Sequence, residues 1–425
     1  MKDVLTKTRE PTQVLDSLAD FVLQEEALLF PQGQSTTVEE VDISGRNIPR
    51  FTNEFWTAKQ RRGHSLHEIS YRACYKSQLP QFFISLLTQE ADVVYDPFMG
   101  RGTTLLEAAL MGRAPAGNDA NPLARILIEP RLDPPRIDEI KSRLHQVRWR
   151  AVARADIDLS MFYSPPTESM IVALKDYLDR RRNSGAEDTV DKWIRMVATN
   201  RLTGHSAGFF SVYTLPPNQA VTQESQRKIN AQRNQHPPDR NVPGIIMRKS
   251  KSLLRNLTAS ESESLKKASA RVQYFCQDAG EQIPLPADSI NLVVTSPPFL
   301  DTVQYAKDNW LRCWFNNIDA ESVAHRITTA RDIGAWSEVM RRVLIEVKRL
   351  IAPGAWIAWE VGEVRKGTVL LDEIIAPIGL AVGLECHAIV VNRQTFTKTA
   401  NCWGIRNNRA GTNTNRIVLF RKPAW

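Results

Sequence analysis

The 425-residue chain lacks the features that mark membrane, secreted and zinc-binding proteins. It contains no run of about 18 apolar residues, so no membrane span and no membrane partner are expected. Its N-terminus has no apolar signal core, which predicts an intracellular, cytoplasmic protein. Its five cysteines are scattered without a C-x-x-C pair. Neither a disulfide framework nor a metal site is therefore indicated.

Acidic residues are in the minority, with 47 Asp and Glu against 55 Lys and Arg, and the net charge is +8. Such an excess favours a polyanionic partner. It is concentrated in residues 227–255, with eight basic residues against one acid, and in residues 393–416, with five basic residues and no acid. We expect both segments to contact nucleic-acid phosphates, and an ordinary solvated surface is the alternative for each. The candidate contact residues are Arg248, Lys249, Arg393, Lys398, Arg406 and Arg409.

The pattern of apolar residues divides the chain into four predicted segments. Residues 1–45 are expected to form a helical N-terminal extension, and residues 46–135 contain a glycine-rich turn between a strand and a helix. Amphipathic helices are expected in residues 136–270, broken by polar loops such as 219–241, and strand-like runs return in residues 271–425. Alternating strands and helices predict an α/β fold, with a mostly parallel sheet and a helical insertion between its halves.

The glycine-rich turn follows the strand-like stretch 91–95 and precedes an apolar, helix-like stretch, 105–111. At such a junction, backbone N–H groups and the helix N-terminus can hold a polar ligand. Runs of this kind recur by chance, so the turn alone is a weak signal. Its candidate cofactor-binding residues are Asp96, Pro97, Phe98, Gly100, Gly102, Thr103 and Thr104.

Two acidic residues near the ends of predicted strands strengthen this signal. Asp119 lies 23 positions after the first residue of the turn, at the end of the predicted strand 114–118, where a carboxylate can bind ribose hydroxyls. Asn121 follows in the next turn, and Asp278 follows the predicted strand 272–275, where it can accept a hydrogen bond from an adenine amine. Acids at successive strand ends suit a nucleoside with a cationic tail, and helix capping is the alternative for both.

A second motif, Ser296-Pro297-Pro298-Phe299, follows the apolar stretch 290–294, which has the pattern of a buried parallel strand. An exocyclic amine of a nucleobase is a poor nucleophile, because its lone pair is delocalised into the ring. Hydrogen bonds to the Ser296 hydroxyl and the Pro297 carbonyl would localise that lone pair, and proline fixes the carbonyl direction. Phe299 can stack on a base that has left the duplex. The motif therefore indicates methyl transfer to a base amine from a donor placed in line.

With these motifs in this order, the chain resembles the S-adenosyl-L-methionine-dependent amino-group DNA methyltransferases, especially the cytosine-N4 type of bacterial restriction–modification systems. The turn at 96–104 resembles their cofactor motif, and residues 296–299 resemble their catalytic tetrapeptide. Asp119 and Asp278 are similar to their ribose-binding and adenine-binding acids, and residues 63–80 to the motif beside the methionine end of the cofactor. The resemblance implies a Rossmann-like, seven-stranded methyltransferase sheet.

The resemblance also implies methyl transfer from S-adenosyl-L-methionine to the N4 amine of a flipped cytosine, in a specific sequence of double-stranded DNA and beside a cognate restriction endonuclease. Serine at the first tetrapeptide position favours cytosine, whereas many cytosine-N4 relatives carry the two main motifs in the opposite order. The helical insertion at 136–270 is then the expected target-recognition region. The alternatives are adenine-N6 methylation of DNA, methylation of an RNA base amine, and DNA recognition without catalysis.

Overall fold

The computed structural model describes residues 9–23, 35–56, 63–72, 74–149, 152–215, 219–298, 305–326, 332–364, 369–393 and 414–424. Its strands are β1 (Thr37–Ile43), β2 (Arg46–Asn53), β3 (Val93–Asp96), β4 (Ala114–Asn118), β5 (Gln273–Phe275), β6 (Ile290–Thr295), β7 (Ile351–Val361), β8 (Glu363–Val364), β9 (Val369–Leu370), β10 (Glu385–Arg393) and β11 (Thr414–Arg421). Its helices are α1 (Pro11–Ala19), α2 (Gln78–Leu87), α3 (Thr103–Leu110), α4 (Leu123–Leu132), α5 (Ile137–His145), α6 (Pro165–Asn183), α7 (Thr189–Arg201), α8 (Gln223–Arg233), α9 (Val242–Leu254), α10 (Ala259–Ser269), α11 (Tyr305–Phe315), α12 (Ala320–Arg326), α13 (Ile333–Leu350) and α14 (Asp372–Val382). Within these ranges, no helix has both the length and the apolar character needed to cross a membrane.

Nine of the described strands form one mixed sheet, in the order β1-β2-β10-β11-β7-β6-β3-β4-β5. Strands β3 to β7 are parallel to one another, and β11 runs antiparallel between β7 and β10. Strand β10 therefore points in the same direction as β7. The carboxyl ends of these co-directional strands lie at one edge of the sheet, called here the carboxyl edge. Ligand sites of open α/β sheets lie at this edge.

Helices cover both faces of the central strands, which explains why those strands are largely apolar. Residues 355–359 of β7 are all fully buried. Trp359 packs in the cluster that contains α13 and α14, whereas Trp356 packs on the other face with α1 and α2. Helices α5, α6, α7, α9 and α10 build a further core with α3 and α4. The predicted α/β fold with a helical insertion is thereby confirmed.

One predicted loop of the insertion is wrong in part, because α8 lies within residues 219–241. Thr222 caps this helix by accepting a hydrogen bond from the N–H of Ser225. The side-chain amide of Gln226 is buried and donates to the carbonyl of Tyr213 at 3.0 Å. A helix held by polar contacts carries little apolar periodicity, so its sequence is read as a loop.

A β-hairpin near the N-terminus corrects both the predicted helical extension and the predicted number of strands. Helix α1 is present, but residues 37–53 form β1 and β2, joined by a turn at Ser44 and Gly45 with φ angles of 55° and 79°. Two left-handed residues give the turn that suits a two-residue hairpin. Because β2 pairs in parallel with β10, the hairpin adds two strands to the seven expected.

The chain that leaves this hairpin is fastened to the sheet by one buried amide. The Oδ1 atom of Asn392, in β10, accepts hydrogen bonds from the N–H groups of Phe55 at 2.7 Å and Trp56 at 3.1 Å. The Asn392 amide also donates to the carbonyl of Trp56 at 3.3 Å. All three side chains are buried, so the two N–H groups depend on Asn392 rather than on bulk water.

We predict that Asn392→Ala lowers the free energy of unfolding by about 2–5 kcal/mol, because it leaves two buried N–H groups without their acceptor. Unfolding in urea, followed by tryptophan fluorescence, measures the change. The control is Asn256→Ala at an exposed position. The control should stay within about 0.5 kcal/mol of wild type. Equal stabilities of the two variants would contradict this role of Asn392.

Candidate active site

The glycine-rich turn connects β3 to α3 in a backbone conformation that favours glycine. Gly100 and Gly102 have φ angles of 49° and 75°, in the left-handed region. A Cβ atom on Gly102 would in addition lie 2.5 Å from side-chain atoms of Ile128, in α4. The turn therefore packs closely on α4. Gly102 directly precedes α3, so the first N–H groups of that helix lie at the turn.

Two arginines fasten the preceding segment, residues 63–72, over this turn. The guanidinium of Arg101 donates to the carbonyls of His67 and Ile69 at 3.1 and 2.9 Å. Arg131, which is fully buried, donates to another carbonyl of the segment and to the carbonyl of Arg101. The segment that resembles the methionine-end motif is thereby placed against the glycine-rich turn.

Asp119 follows β4 and also lies against the turn. Its carboxylate accepts hydrogen bonds from the N–H groups of Gly100 at 2.9 Å and Asn121 at 2.8 Å. Burial raises the pKa of Asp119 to about 6, although both hydrogen bonds lower it. Asn121 is buried, and its side chain accepts a hydrogen bond at 3.0 Å from the N–H of Leu123, the first residue of α4.

Asn118, which the sequence motifs did not predict, joins the loops that follow β3, β4 and β5. Its amide donates to the carbonyls of Pro97 at 3.3 Å and Gln277 at 3.0 Å. Asp278 lies in the third loop, where it accepts a hydrogen bond from a backbone N–H at 2.7 Å and is 3.7 Å from Arg342. The two predicted ligand-binding acids therefore lie at neighbouring strand ends. The sequence feature that could have indicated the role of Asn118 is its position directly before Asp119.

The other side chains of the turn stabilise its shape. Asp96, Thr103 and Thr104 are buried, and the Thr103 hydroxyl accepts a hydrogen bond from the arginine of the turn at 3.1 Å. Phe98 is half-buried, and its ring meets that of Trp359 edge-on, with 6.4 Å between centroids. What the turn presents at the carboxyl edge is therefore mainly its backbone.

The predicted catalytic motif follows β6, which lies between β3 and β7. Residues 292–295 are fully buried, as the apolar pattern predicted. Ser296 and Pro298 are half-buried and Pro297 is buried, so the motif lies at the carboxyl edge beside the glycine-rich turn. Phe299 lies outside the described residues.

A buried tryptophan holds the second proline of the motif. Trp336, in the first turn of α13, is 2% exposed, and its indole N–H donates to the carbonyl of Pro298 at 3.0 Å. Asp332 begins this helix by accepting a hydrogen bond from the N–H of Ala335 at 2.8 Å. A single tryptophan in an amphipathic helix gives no signal of this contact in the sequence.

Glu360, in β7, is a further residue of the site that the sequence motifs did not predict. Strand β7 pairs with β6 so that Trp359 lies opposite Thr295, which places the Glu360 carboxylate within hydrogen-bonding reach of the Ser296 hydroxyl. The amide of Asn415, in β11, donates to the same carboxylate at 3.0 Å. Burial raises the pKa of Glu360, whereas both hydrogen bonds lower it. A carboxylate in an otherwise apolar, buried strand is the available signal.

The described residues include three of the six predicted phosphate-contact residues, Arg248, Lys249 and Arg393. Arg248 is exposed on α9, whereas the Lys249 side chain is mostly buried, 3.9 Å from Glu68. Burial lowers the pKa of Lys249 to about 8. Arg393 is exposed at the end of β10, at the carboxyl edge. The residues outside the described ranges are Lys398, Arg406 and Arg409.

We predict that Glu360→Gln stabilises the protein by an amount that grows with pH. Folding raises the pKa of Glu360 above its ordinary value of 4.5. Between the two values, the folded state keeps a proton that the unfolded state has lost, so the stability of the wild type falls as the pH rises. The amide removes this dependence. Melting temperatures between about pH 4 and about pH 8 measure it.

The control for this prediction is Glu373→Gln, at an exposed position of α14. This variant should not become more stable relative to wild type as the pH rises. A constant difference between Glu360→Gln and wild type over the same range would contradict a raised pKa of Glu360 in the folded protein.

Comparison with known proteins finds relatives for part of the chain. Residues 6–128 match the model of the DNA methylase family N6_N4_Mtase. The chain is 29% identical over 113 residues to the type II methyltransferase M.BsoBI of Geobacillus stearothermophilus, and 32% identical over 81 residues to the type II methyltransferase M.MjaII of Methanocaldococcus jannaschii. These matches cover 26% and 19% of this chain, and 21% and 15% of the two relatives. The chain therefore spans about a fifth or less of the length of the relatives it matches.

Among solved structures, the chain is similar to a DNA modification methylase of Thermus thermophilus complexed with S-adenosyl-L-methionine, at 24% identity over 35% of this chain and 54% of that chain, with a TM-score of 0.21. It is also similar to a TehB-like SAM-dependent methyltransferase from Corynebacterium glutamicum, at 8% identity over 81% and 86% of the chains, with a TM-score of 0.28. These TM-scores are too low to carry an argument about this protein. The family match over residues 6–128 and the two type II relatives confirm the resemblance to amino-group DNA methyltransferases of the restriction–modification type.

Proposed function

We propose that this protein transfers a methyl group from S-adenosyl-L-methionine to the N4 amine of a flipped cytosine in double-stranded DNA. One observation carries the proposal. Ser296 follows β6 at the carboxyl edge, directly beside β3, the strand that leads into the glycine-rich turn. A site for a nucleoside cofactor and a site for a base amine would thus be neighbours, as in-line transfer between two bound reactants requires.

The groups at the carboxyl edge fit S-adenosyl-L-methionine, which supplies an electrophilic methyl group when bound. Asp119 would accept hydrogen bonds from the ribose hydroxyls, and Asp278 from the adenine amine. The backbone N–H groups around Gly100 and at the start of α3 would hold the methionine end. Acceptors at two successive strand ends match the donors of a nucleoside, and Asn118 ties together the loops that carry them.

The catalytic turn would bind and activate the base amine. With the Ser296 hydroxyl directed as a hydrogen-bond donor to Glu360, the lone pairs of its oxygen would be left to accept a hydrogen bond from the amine. Trp336 already bonds the carbonyl of Pro298, so we assign the second acceptor to the carbonyl of Pro297. Two acceptors on the amine direct its lone pair out of the ring and toward the methyl group.

Ser296 and Glu360 also provide a route for the proton that the methylated amine loses. As the N–H bond breaks, its proton passes to the Ser296 oxygen while Ser296 passes its own proton to the Glu360 carboxylate. The products are a neutral methylated base and a protonated Glu360. Burial raises the pKa of Glu360, which makes this carboxylate a better proton acceptor than an exposed one.

The choice of cytosine is based on serine at the first position of the motif, and Phe299 would stack on the flipped base. The insertion at 136–270 would recognise the DNA sequence. Its residue Asn200 accepts a hydrogen bond from the N–H of Ser70 at 3.0 Å and donates to the Ser70 carbonyl at 2.8 Å. Because Ser70 belongs to the segment fastened over the glycine-rich turn, these two bonds connect the insertion to the candidate site.

Phosphate contacts would come from the exposed Arg248 and from residues 393–416. The strands on either side of this second segment support its assignment, because β10 ends and β11 begins at the carboxyl edge. Its proposed contact residues are Arg393, Lys398, Arg406 and Arg409. A cognate restriction endonuclease as partner is proposed from the type II relatives alone.

We predict that Ser296→Ala lowers methyl transfer by at least about 100-fold, because the amine loses an acceptor and its route to Glu360. Plasmid DNA is incubated with the protein and S-adenosyl-L-methionine that carries a deuterated methyl group, and its nucleosides are analysed by mass spectrometry. Labelled N4-methylcytosine is expected from wild type. Ser289→Ala, just before the other end of β6, is the control and should retain activity.

Each outcome of this experiment decides one part of the proposal. Labelled N6-methyladenine would keep the mechanism and overturn the choice of cytosine. DNA without label would overturn DNA as the substrate, and tRNA would then be tested in the same way. Turnover by Ser296→Ala at the wild-type rate would contradict the role of Ser296.

We predict that the affinity for S-adenosyl-L-methionine falls as the pH drops below about 6. Burial raises the pKa of Asp119 to about 6, so its carboxylate is ionised above this value and protonated below it. Protonation weakens the charge-assisted hydrogen bonds from the ribose. Titration calorimetry between about pH 5 and about pH 8 measures the affinity.

Two variants test whether Asp119 or Asp278 is the source of this pH dependence. Asp119→Asn should bind more weakly and lose the dependence on pH, whereas Asp278→Asn should bind more weakly and keep it. A dependence that survives in Asp119→Asn would show that another group controls the affinity.

A further inference from the structure

The buried carboxylate of Asp96 connects the glycine-rich turn to the catalytic turn. Asp96 is the last residue of β3 and is 0% exposed. Its Oδ1 atom accepts hydrogen bonds from the Thr295 hydroxyl at 2.6 Å and from the N–H of Phe98 at 3.0 Å. Its Oδ2 atom accepts one from the Tyr75 hydroxyl at 2.7 Å. Both oxygens are therefore engaged inside the protein.

The donors come from three different parts of the candidate site. Thr295 directly precedes the catalytic serine, the Phe98 N–H lies within the glycine-rich turn, and Tyr75 follows the segment fastened over that turn. Thr104, in the first turn of α3, adds a further link. Its hydroxyl donates to the carbonyl of Val294 at 3.1 Å and contacts the Tyr75 hydroxyl. The end of β6 is thus bonded to the glycine-rich turn and to α3 through consecutive residues.

We propose that Asp96 is a positioning residue, and that its hydrogen bond with Thr295 sets the place of Ser296 relative to the glycine-rich turn. The inference rests on the proposed function, because it concerns the distance between the methyl donor and the base amine. It reassigns Asp96, which the motif resemblance counts among the cofactor-binding residues.

The chemistry of the catalytic turn explains why it needs such a bond. Two successive prolines bring no backbone N–H groups, so the turn cannot be held by donors of its own at Pro297 and Pro298. Side-chain contacts replace them, and the contact of Thr295 is a short, charge-assisted hydrogen bond, a class about twice as strong as neutral ones. A displacement of about 1 Å between reacting groups can lower a rate by about 100-fold.

The test compares Thr295→Val, which removes the hydroxyl and keeps the shape, with Thr295→Ser, which keeps the hydroxyl. We expect Thr295→Val to lower kcat by about 10- to 100-fold while KM for S-adenosyl-L-methionine stays within about twofold. Thr295→Ser should retain kcat within about threefold. Tyr75→Phe removes the donor to the other oxygen of Asp96 and should give the same separation of kcat from KM. It replaces Thr295→Val in the test if that variant does not fold.

The matched control is Thr88→Val, before the start of β3, where the hydroxyl donates to the carbonyl of Ile84 at 2.6 Å. This control should lower the melting temperature without lowering kcat, which is the behaviour of a purely structural contact. An equal fall of kcat in both valine variants would overturn the proposal. A rise of KM in Thr295→Val with kcat unchanged would overturn it as well, because Asp96 would then act on cofactor binding.

A second readout does not depend on methyl transfer. Hydrogen–deuterium exchange of the free protein reports how firmly the amides at the end of β6, residues 293–295, are held in the sheet. Thr295→Val should speed this exchange by at least about 10-fold, and Thr88→Val should leave it unchanged. If wild type methylates no nucleic acid, the proposed function fails, while the exchange result still decides whether Thr295 positions the turn. Exchange in Thr295→Val at the wild-type rate would overturn the inference.

Discussion

The candidate site depends on two carboxylates buried on either side of β6. Asp96 ends β3 and Glu360 lies in β7, and both are removed from water. A buried carboxylate is tolerated when hydrogen-bond donors reach it. The end of β6 supplies them from consecutive residues, since Thr295 donates to Asp96 and Ser296, which follows the strand, lies within hydrogen-bonding reach of Glu360. In the sheet, β6 lies between the two strands that carry these acids. One strand end can therefore satisfy both acids, and the two acids in turn fix the strand end that carries the catalytic motif.

The sequence predicts those parts of the site that neighbouring residues encode together. A glycine-rich turn between a strand and a helix, acids such as Asp119 and Asp278 at strand ends, and a serine with two prolines after an apolar run are all local patterns. Strands in a parallel sheet share a direction, so features at their carboxyl ends meet at one edge. This rule is sufficient to assemble the predicted groups without knowledge of which strands pair. The same local patterns carry the family resemblance, which the match over residues 6–128 confirms.

What the sequence did not predict depends on pairing between distant segments. Glu360 reaches Ser296 because β7 lies beside β6 in one particular register, and a shift by one residue would turn its side chain to the other face. The N-terminal hairpin was missed because its partner, β10, comes near the end of the chain. Counts of charged residues along the sequence mislead for the same reason, because a distant segment can supply the partner of a charged side chain. Lys249 counts as a free positive charge in a local window, yet its acidic neighbour, Glu68, comes from the segment over the glycine-rich turn.

The two buried carboxylates have different surroundings, which indicates different tasks. Burial raises the pKa of both, so each ionised form is held at a cost in stability that an apolar side chain would avoid. For Asp96, hydrogen bonds from the hydroxyl groups of Thr295 and Tyr75 offset that cost. Neither of these hydroxyl groups has a role in binding the base in the proposed reaction. Glu360 instead lies beside the Ser296 hydroxyl, which would face the base in the proposed reaction. In the proposed reaction a proton must leave the amine after methyl transfer, and a carboxylate whose pKa is raised by burial accepts it more readily. The raised pKa of Glu360 thus has two consequences. It lowers the stability of the folded protein, and it would help the carboxylate to accept the proton in the reaction.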